Sequence, residues 1–198
     1  MKYRKAEKAD LDQVVRVAST AFEDYLFLKV IKDLVRDLKQ YPVFVEKMMR
    51  ILVRIFFKHH ICLVAEKNTE IYAVALLQRG PIPFRAYLLN GGIGLLKFIS
   101  LKNILSYLKF MEDTDKELEQ NVDFDWYLML LAVAPKHQRQ GYGSRFMTEG
   151  IEPFLEEIQG KKLAFYTKNG YKEVYSSEIS FNQVEMGSWY FLKELKKH

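Results

Sequence analysis

The clearest chemical content in this sequence lies in a short turn between an apolar stretch and a helical pattern. The apolar stretch ends at Val133, and a glycine-containing segment, Gly141-Tyr142-Gly143, precedes the return of helical periodicity. Backbone N–H groups at the start of a helix have no partner within it, and the helix dipole makes that end positive. Such a turn can hold phosphate groups, and glycine lets the backbone approach an anion closely. We therefore predict an anion site between Gln138 and Ser144.

The residues around this turn show which known phosphate-binding motifs it does and does not match. Positive or polar side chains are supplied nearby by Lys136, His137, Arg139 and Arg145. No Gly-Lys-Ser/Thr follows, so the turn is not a P-loop, and Phe146 occupies the third glycine position of the dinucleotide fingerprint. Nucleoside triphosphate hydrolysis and nicotinamide chemistry are therefore disfavoured.

A known family shares this pattern. The run Gln138 to Gly143 resembles motif A of the GNAT superfamily of N-acetyltransferases, which reads Gln/Arg-x-x-Gly-x-Gly/Ala, and Val133-Ala134-Pro135 also matches. The opening Arg4 to Asp10 resembles the first strand and helix start of that family, and Ala164 to Tyr171 resembles its late Phe-Tyr segment. The resemblance covers most of the chain except the stretch from about Pro81 to Val122.

The resemblance implies a function and a cofactor. It implies transfer of an acetyl group from acetyl-coenzyme A to a primary amine by direct attack in a ternary complex, without a metal. By position, pantetheine would lie along Leu131, Ala132 and Val133, beside a splay at a β-bulge. A main-chain N–H near Leu131 or Ala132 would polarise the thioester carbonyl, a role in which one donor is typically worth ~3 kcal/mol. The pyrophosphate would rest on the backbone of Gln138, Arg139, Gln140, Gly141, Tyr142, Gly143 and Ser144.

Two proton transfers need side chains in this reaction. Tyr166 aligns with the Tyr that the family places near the thiol, and a phenol can protonate a departing thiolate. The alternative for Tyr166 is a core aromatic beside Phe165. For the base we single out Asp125, before the motif A strand, where the family often places an acid; Asp123 and Tyr127 are alternatives, and so is a solvated loop carboxylate without a catalytic role.

The segment from Lys161 to Gly170 is shorter than this resemblance requires. The family has a strand and then a helix carrying the Tyr, and these ten residues are too few for both. Either a loop near Leu163 to Phe165 is missing from the sequence, or the deletion is real. A real deletion puts the role of Tyr166 in doubt.

Other elements must place the turn and the strand before it. We predict strands at Lys2 to Arg4, Ile61 to Ala65, Ile71 to Leu77, Phe124 to Val133, Tyr171 to Phe181 and Val184 to Leu195. The first helix is predicted to follow a capping box of Asp10 and Gln13. Further helices are predicted from Tyr25 to Lys58, with a break at Tyr41-Pro42, and from Leu95 to Leu118. A last helix should follow the turn, with a kink at Gly150 and Pro153. This order predicts an α/β (α+β) fold with a mixed, mostly antiparallel GNAT-like sheet flanked by helices. We expect a single domain over residues 1–198 with a helical insert at about 81–122.

Composition limits the remaining classes. The chain has 198 residues, 49% of them hydrophobic, and a net charge of +5, which suits a packed fold and falls short of a nucleic-acid-binding composition. We expect a cytoplasmic protein without membrane insertion. Cys62 is the lone cysteine, and the charged first residues are not followed by the apolar core of a signal peptide. The most apolar stretch, Ile82 to Leu101, is interrupted by polar and glycine residues. Small-molecule or peptide amines are the expected partners, and a homodimer is left open. The opposing hypotheses are a non-catalytic coenzyme A-binding or regulatory domain and a membrane-surface protein that uses Lys97, Lys102 and Lys109.

Overall fold

The centre of the protein is one mixed seven-stranded sheet. The computed structural model describes residues 1–22, 26–165 and 171–195. The strands follow the chain order β1 (Lys2–Lys5), β2 (Ile61–Lys67), β3 (Glu70–Gln78), β4 (Trp126–Val133), β5 (Lys162–Phe165), β6 (Lys172–Phe181) and β7 (Val184–Glu194). Their order across the sheet is β1-β2-β3-β4-β5-β7-β6, and only β4 and β5 run parallel. The predicted class, a mostly antiparallel sheet flanked by helices, is confirmed.

Helices cover both faces of this sheet. They are α1 (Leu11–Phe22), α2 (Leu26–Lys32), α3 (Tyr41–His59), α4 (Phe84–Leu89), α5 (Leu101–Asn121), α6 (Tyr142–Phe146) and α7 (Glu152–Glu157), with 3-10 turns at Lys8–Asp10, Leu38–Gln40, Gly92–Lys97 and Pro135–His137. Within the described residues, no helix is both long enough and apolar enough to cross a membrane.

Alternation along the central strands explains the two helical layers. Val64, Val74 and Leu76 pack into one core cluster with α1 and α3, whereas Leu63 and Leu77 pack into a second cluster with α6 and α7. Successive side chains of a strand point to opposite faces, so apolar runs without alternation are buried on both sides. The predicted hairpin of two buried strands, now β2 and β3, is confirmed.

β4 changes its alternation at a β-bulge. Leu128 pairs with Leu77 and Leu130 with Leu76, so Met129 is an extra residue in β4. Leu128 belongs to the α6–α7 cluster, Met129 and Leu130 both pack with the α1–α3 cluster, and Leu131 is again on the α6–α7 side. The extra residue therefore turns two consecutive side chains toward one face.

The insert before β4 packs on the last two strands. Ser100 caps α5 by accepting a hydrogen bond from the backbone N–H of Asn103 at 3.2 Å. The rings of Tyr107 and Phe110 lie 5.7 and 5.0 Å from the ring of Phe181 in β6. Tyr107 and Phe181 belong to the same core cluster as the buried residues of α3, and one cavity lies between α3 and α5, so both helices lie on the same face of the sheet.

The kink predicted after the turn is a π-helical turn. α6 and α7 are joined without a break by one π turn, Met147–Ile151, and Pro153, which cannot donate a backbone hydrogen bond, lies in the first turn of α7. Gly150 lies against Tyr3 of β1, and a Cβ placed there would come within 2.9 Å of the Tyr3 ring. The close approach of β1 explains why this position is a glycine.

Two predicted helix signals were wrong in detail. Asp10 does not pair with Gln13; its carboxylate accepts from the backbone N–H of Glu7 at 2.7 Å and binds Arg4 at 2.6 Å. Gln13 instead accepts from the backbone N–H of Ile71 at 3.2 Å. The break predicted at Tyr41-Pro42 lies earlier, between the end of α2 at Lys32 and the start of α3 at Tyr41. Pro42 does not interrupt the helix, because Pro is well tolerated in the first turn.

The segment from Lys161 to Gly170, predicted to be too short for both a strand and a helix, contains β5. β5 is continuous from Lys162 to Phe165 and pairs with both β4 and β7. The residues left between β5 and β6 are 166–171, and of these only Tyr171 is among the described residues.

Candidate active site

The predicted anion site is a turn with two left-handed residues. After β4 the chain makes one 3-10 turn, then Arg139 and Gly141 adopt φ values of 60° and 77°, and α6 starts at Tyr142. Glycine tolerates positive φ without steric cost. The side-chain amides of Gln138 and Gln140 donate to the carbonyls of Val133 and Lys136 at 3.0 and 3.1 Å. These two bonds brace the turn from inside.

Backbone donors at the start of α6 are left without protein acceptors. The first bond across this helix start runs from the N–H of Arg145 to the carbonyl of Gly141 at 3.0 Å. Within the described part of the chain, no acceptor is found for the N–H groups of Gly141, Tyr142, Gly143 and Ser144. Since α6, the π turn and α7 continue as one helical segment, the helix dipole reinforces this end.

Charges around the turn are only partly neutralised. Lys136 pairs with Glu70, and Arg145 pairs with Glu149 at 3.1 Å, which draws both cations toward neighbouring carboxylates. Arg139 is exposed and has no carboxylate partner among the residues described. The ring of His137 stacks on Tyr72 with centroids 3.7 Å apart, which fixes the back of the turn to β3.

β4 has an open edge beside this turn. Among the described residues it pairs with β5 through Trp126 and Tyr127, whereas its pairing with β3 continues to Val133. From Leu128 onward no strand in the described residues covers the other edge of β4. Among the described residues, the parallel pairing therefore ends before the bulge at Met129.

Hydrogen-bond alternation decides which N–H groups face the gap. Ala134 donates to the carbonyl of Tyr72 at 2.9 Å, so Ala134 faces β3, and Ala132 faces β3 with it. Leu131 and Val133 then point their N–H groups into the gap. The carbonyl of Val133 is already occupied by Gln138. Of the two donors suggested by the sequence, Leu131 has the geometry for an incoming carbonyl and Ala132 does not.

Asp125 is held by the backbone of the neighbouring strand. Its Oδ2 accepts from the N–H groups of Lys161 and Lys162 at 2.7 and 3.0 Å, and its own N–H donates to the carbonyl of Lys162 at 3.0 Å. These contacts join the beginnings of β4 and β5. Asp123 forms an ion pair with Lys162 at 2.5 Å. Tyr166, the expected acid, lies outside the described residues.

A large cavity opens on the other face of β4. Its volume is about 540 Å³, and it lies between α1 to α3 on one side and the insert on the other. Tyr127, Met129 and Leu130 form its floor, so it reaches the bulge in β4. The lining is almost entirely apolar and includes Phe44, Met48, Leu52, Tyr87, Ile104 and Leu108.

One carboxylate enters this apolar cavity, and sequence reasoning missed it. Asp115 lies on α5, and its Oδ2 accepts from the side-chain amide of Gln78 at 3.4 Å. Desolvation raises the pKa of Asp115 to about 6; the Gln78 hydrogen bond opposes the rise and Glu119 adds to it. Its side chain keeps some accessible surface because it faces the cavity. A signal existed: Asp115 continues the apolar stripe of Ile104, Leu108 and Met111 at helical spacing.

The remaining nucleophile and metal candidates stay outside this site. Cys62 is buried in β2, and burial raises the pKa of its thiol far above the ordinary range, so it is inert. Within residues 1–22, 26–165 and 171–195, no group of three or more His, Cys, Asp or Glu side chains is placed to hold a metal ion.

Comparison with known proteins gives a family for part of the chain. Residues 103–173 match the family model described as the acetyltransferase (GNAT) domain. This span contains α5, β4, the turn and the helices that follow it. Among curated proteins, none matches this sequence.

Solved structures share the fold over nearly the whole chain. A putative arylalkylamine N-acetyltransferase from the yellow fever mosquito is 13% identical with a TM-score of 0.64, covering 98% of this chain and 87% of its own. A histone acetyltransferase HPA2 and related acetyltransferase structure from Corynebacterium glutamicum is 14% identical with a TM-score of 0.60, covering 98% and 96%. The polyamine N-acetyltransferase of Drosophila melanogaster is 9% identical with a TM-score of 0.59, covering 98% and 99%.

The fold shared with these structures is a mixed sheet flanked by helices, with a parallel β4–β5 pair and a glycine turn after β4. The match identifies a GNAT acetyltransferase domain within residues 103–173, and the likeness to the solved structures shows a shared fold over nearly the whole chain.

Proposed function

We propose that this protein is an N-acetyltransferase that moves the acetyl group of acetyl-coenzyme A to a primary amine within a ternary complex. The observation that carries the proposal is the set of unpartnered N–H groups from Gly141 to Ser144, next to the open edge of β4. An anion is favoured at such a helix start. An extended chain is favoured along an unpaired strand edge, which offers main-chain donors and acceptors.

The parts of the coenzyme then have separate partners. The N–H groups of Gly141 to Ser144 hold the pyrophosphate, and exposed Arg139 adds positive charge beside it. Pantetheine lies in the gap between β4 and β5, where Leu131 and Val133 offer N–H groups. The N–H of Leu131 polarises the thioester carbonyl, which stabilises the negative charge that develops during attack.

The reaction needs two proton movements and one exchange of bonds. The ammonium of the acceptor first loses a proton to a base, and the free amine attacks the thioester carbon. A C–N bond forms, the C–S bond breaks, and the leaving thiolate takes a proton. Tyr166 is the proposed acid. Asp125 is the base suggested by the sequence, and its carboxylate Oδ2 already accepts two backbone hydrogen bonds.

Release of free thiol from acetyl-coenzyme A in the presence of an amine panel tests this function. We expect amine-dependent release that slows by ~100-fold in Tyr166→Phe, a typical loss for a general acid. Tyr175→Phe is the matched control, because Tyr175 binds Glu117 at 2.6 Å and lies outside the cavity. Coenzyme A binding without amine-dependent release would support the non-catalytic alternative instead.

A further inference from the structure

The cavity over β4 opens beside the proposed thioester site. It contacts β4 at Met129 and Leu130, directly beside the Leu131 N–H that would hold the thioester carbonyl. Its volume of about 540 Å³ is within the range of small-molecule sites, ~300–1,000 Å³. An acceptor in this cavity would approach the reacting carbon from the face opposite α6.

The cavity selects by its chemistry as well as by its size. Apolar side chains from α1 to α5 line it, and at its mouth Leu88, Ile93 and Leu101 remain exposed. Exposed apolar groups around an opening are typical of ligand sites. Among the described residues, no Lys, Arg or His side chain lines it, and Asp115 is the only carboxylate that does.

Among the residues that the structure describes, no cation pairs with Asp115. The groups that face it are Gln78 of β3, Tyr127 of β4, Tyr87 of α4, Tyr190 of β7 and, on its own helix, Glu119. The Oε1 atom of Gln78 is buried and has no partner among the described residues. A buried carboxylate without a cation is costly. A cationic ligand in the cavity would supply such a partner.

We infer that the acceptor is a primary amine carried on a bulky apolar body, an arylalkyl- or long-chain alkylamine, and that Asp115 receives its ammonium group and takes its proton. This inference rests on the proposed acetyl transfer. The step balances: the ammonium gives one proton to the Asp115 carboxylate, the amine forms the C–N bond, and the neutral Asp115 acid returns its proton to solvent after the product leaves.

The same lining disfavours a polyamine. A second cationic group, an ammonium or a guanidinium, would have to be buried against apolar side chains without a counter-charge, which costs several kcal/mol. An apolar body gains free energy on burial, at ~25 cal/mol per Å² of apolar surface. The difference should therefore appear as a preference among amines of similar length.

Competition among amines tests the inference directly. With saturating acetyl-coenzyme A, we expect kcat/KM for 2-phenylethylamine and octylamine to exceed that for agmatine and spermidine by at least ~10-fold. Equal or reversed preference would overturn the inference and leave acetyl transfer intact. Absence of acetyl-coenzyme A binding in calorimetry would overturn the proposed function, and the inference with it.

Replacing the carboxylate tests Asp115 itself. Asp115→Asn should lower kcat with 2-phenylethylamine by ~100-fold. Its kcat/KM should also lose the rise with pH near 6 that the wild type shows. Asp113→Asn is the matched control, since Asp113 is exposed on the same helix and pairs with Lys109 at 2.7 Å. Unchanged pH profiles in Asp115→Asn would overturn the role, and an Asp125→Asn variant with the larger loss would assign it to Asp125.

A binding measurement without coenzyme separates the cavity from the chemistry. Fluorescence of 1-naphthylmethylamine should show saturable binding to the free chain that weakens by at least ~10-fold in Asp115→Asn. Equal binding by the wild type and Asp115→Asn would contradict the charge contact. No binding at millimolar amine would contradict the apolar acceptor site.

Discussion

The side-chain amide of Gln138 donates to the carbonyl oxygen of Val133 over 3.0 Å, joining the first residue of the glycine motif to the last residue of β4. This contact explains the structural role of Gln138 in the motif. It satisfies a carbonyl at the open strand edge and holds the turn so that the following N–H groups point outward. The strand, the turn and the start of α6 therefore behave as one unit.

Loss of that contact should weaken coenzyme binding. Gln138→Leu removes one hydrogen bond, worth ~1 kcal/mol, and we expect a ~5-fold higher Kd for coenzyme A. Gln120→Leu, an exposed change on α5, is the control. Titration calorimetry gives both values, and equal affinities in the two variants would show that the turn does not need the brace.

The two glycines of the turn should differ in their tolerance of alanine. Gly141 has a φ of 77°, so Gly141→Ala should destabilise the turn by ~1 kcal/mol and raise the Kd for coenzyme A several-fold. Gly143→Ala should be nearly neutral, because the new Cβ would lie at an ordinary 3.5 Å from Val133. A larger loss of affinity in Gly143→Ala would reverse this assignment.

The contact between β1 and the π turn should be sensitive to a single methyl group. Gly150→Ala places a Cβ 2.7 Å from Phe146 and 2.9 Å from Tyr3, and overpacking of this kind costs ~1–3 kcal/mol. Gly94→Ala meets nothing within 4 Å and should change the free energy of unfolding by less than ~1 kcal/mol. Urea denaturation of both variants measures the difference, and similar midpoints would contradict the close approach of Tyr3.

Stability should depend on pH through Asp115. Its pKa is raised from the ordinary aspartate range to about 6 by burial, so the folded chain binds the proton more tightly than the unfolded chain. This contribution favours folding at low pH, declines as the pH rises from ~4, and is fully lost above ~6.

The same linkage predicts the effect of removing the charge. Asp115→Asn should increase the free energy of unfolding at pH 8 by ~2 kcal/mol relative to wild type and have little effect at pH 4. Denaturation at the two pH values checks this. A gain at pH 4 that equals the gain at pH 8 would mean that the carboxylate is not desolvated.

Much of the fold followed from patterns in the sequence. The apolar runs of β2, β3 and β4 are buried on both faces, and such runs are unmistakable in a central strand. The position of the glycine motif between a strand and a helix was also predicted, because a strand, a tight turn and a helix start are all local features. Local patterns therefore predicted the sheet class and the turn.

Tertiary contacts decided what the sequence could not show. Asp10 has the spacing of a helix cap with Gln13, but the guanidinium of Arg4 binds its carboxylate, and a charged partner from β1 outweighs the local signal. Asp115 lies on the apolar stripe of α5 by its spacing, but spacing alone does not show what surrounds its carboxylate. Its isolation arises only when α5 packs across β7 and opposite α3.

The central claim, that the N–H groups of Gly141 to Ser144 hold the diphosphate of the coenzyme, can be tested by nuclear magnetic resonance of the ¹⁵N-labelled chain. On addition of coenzyme A, the amide signals of Gly141, Tyr142, Gly143 and Ser144 should shift most, whereas pantetheine, which lacks the diphosphate, should leave them in place. Coenzyme A binding with these four signals unmoved would contradict the account.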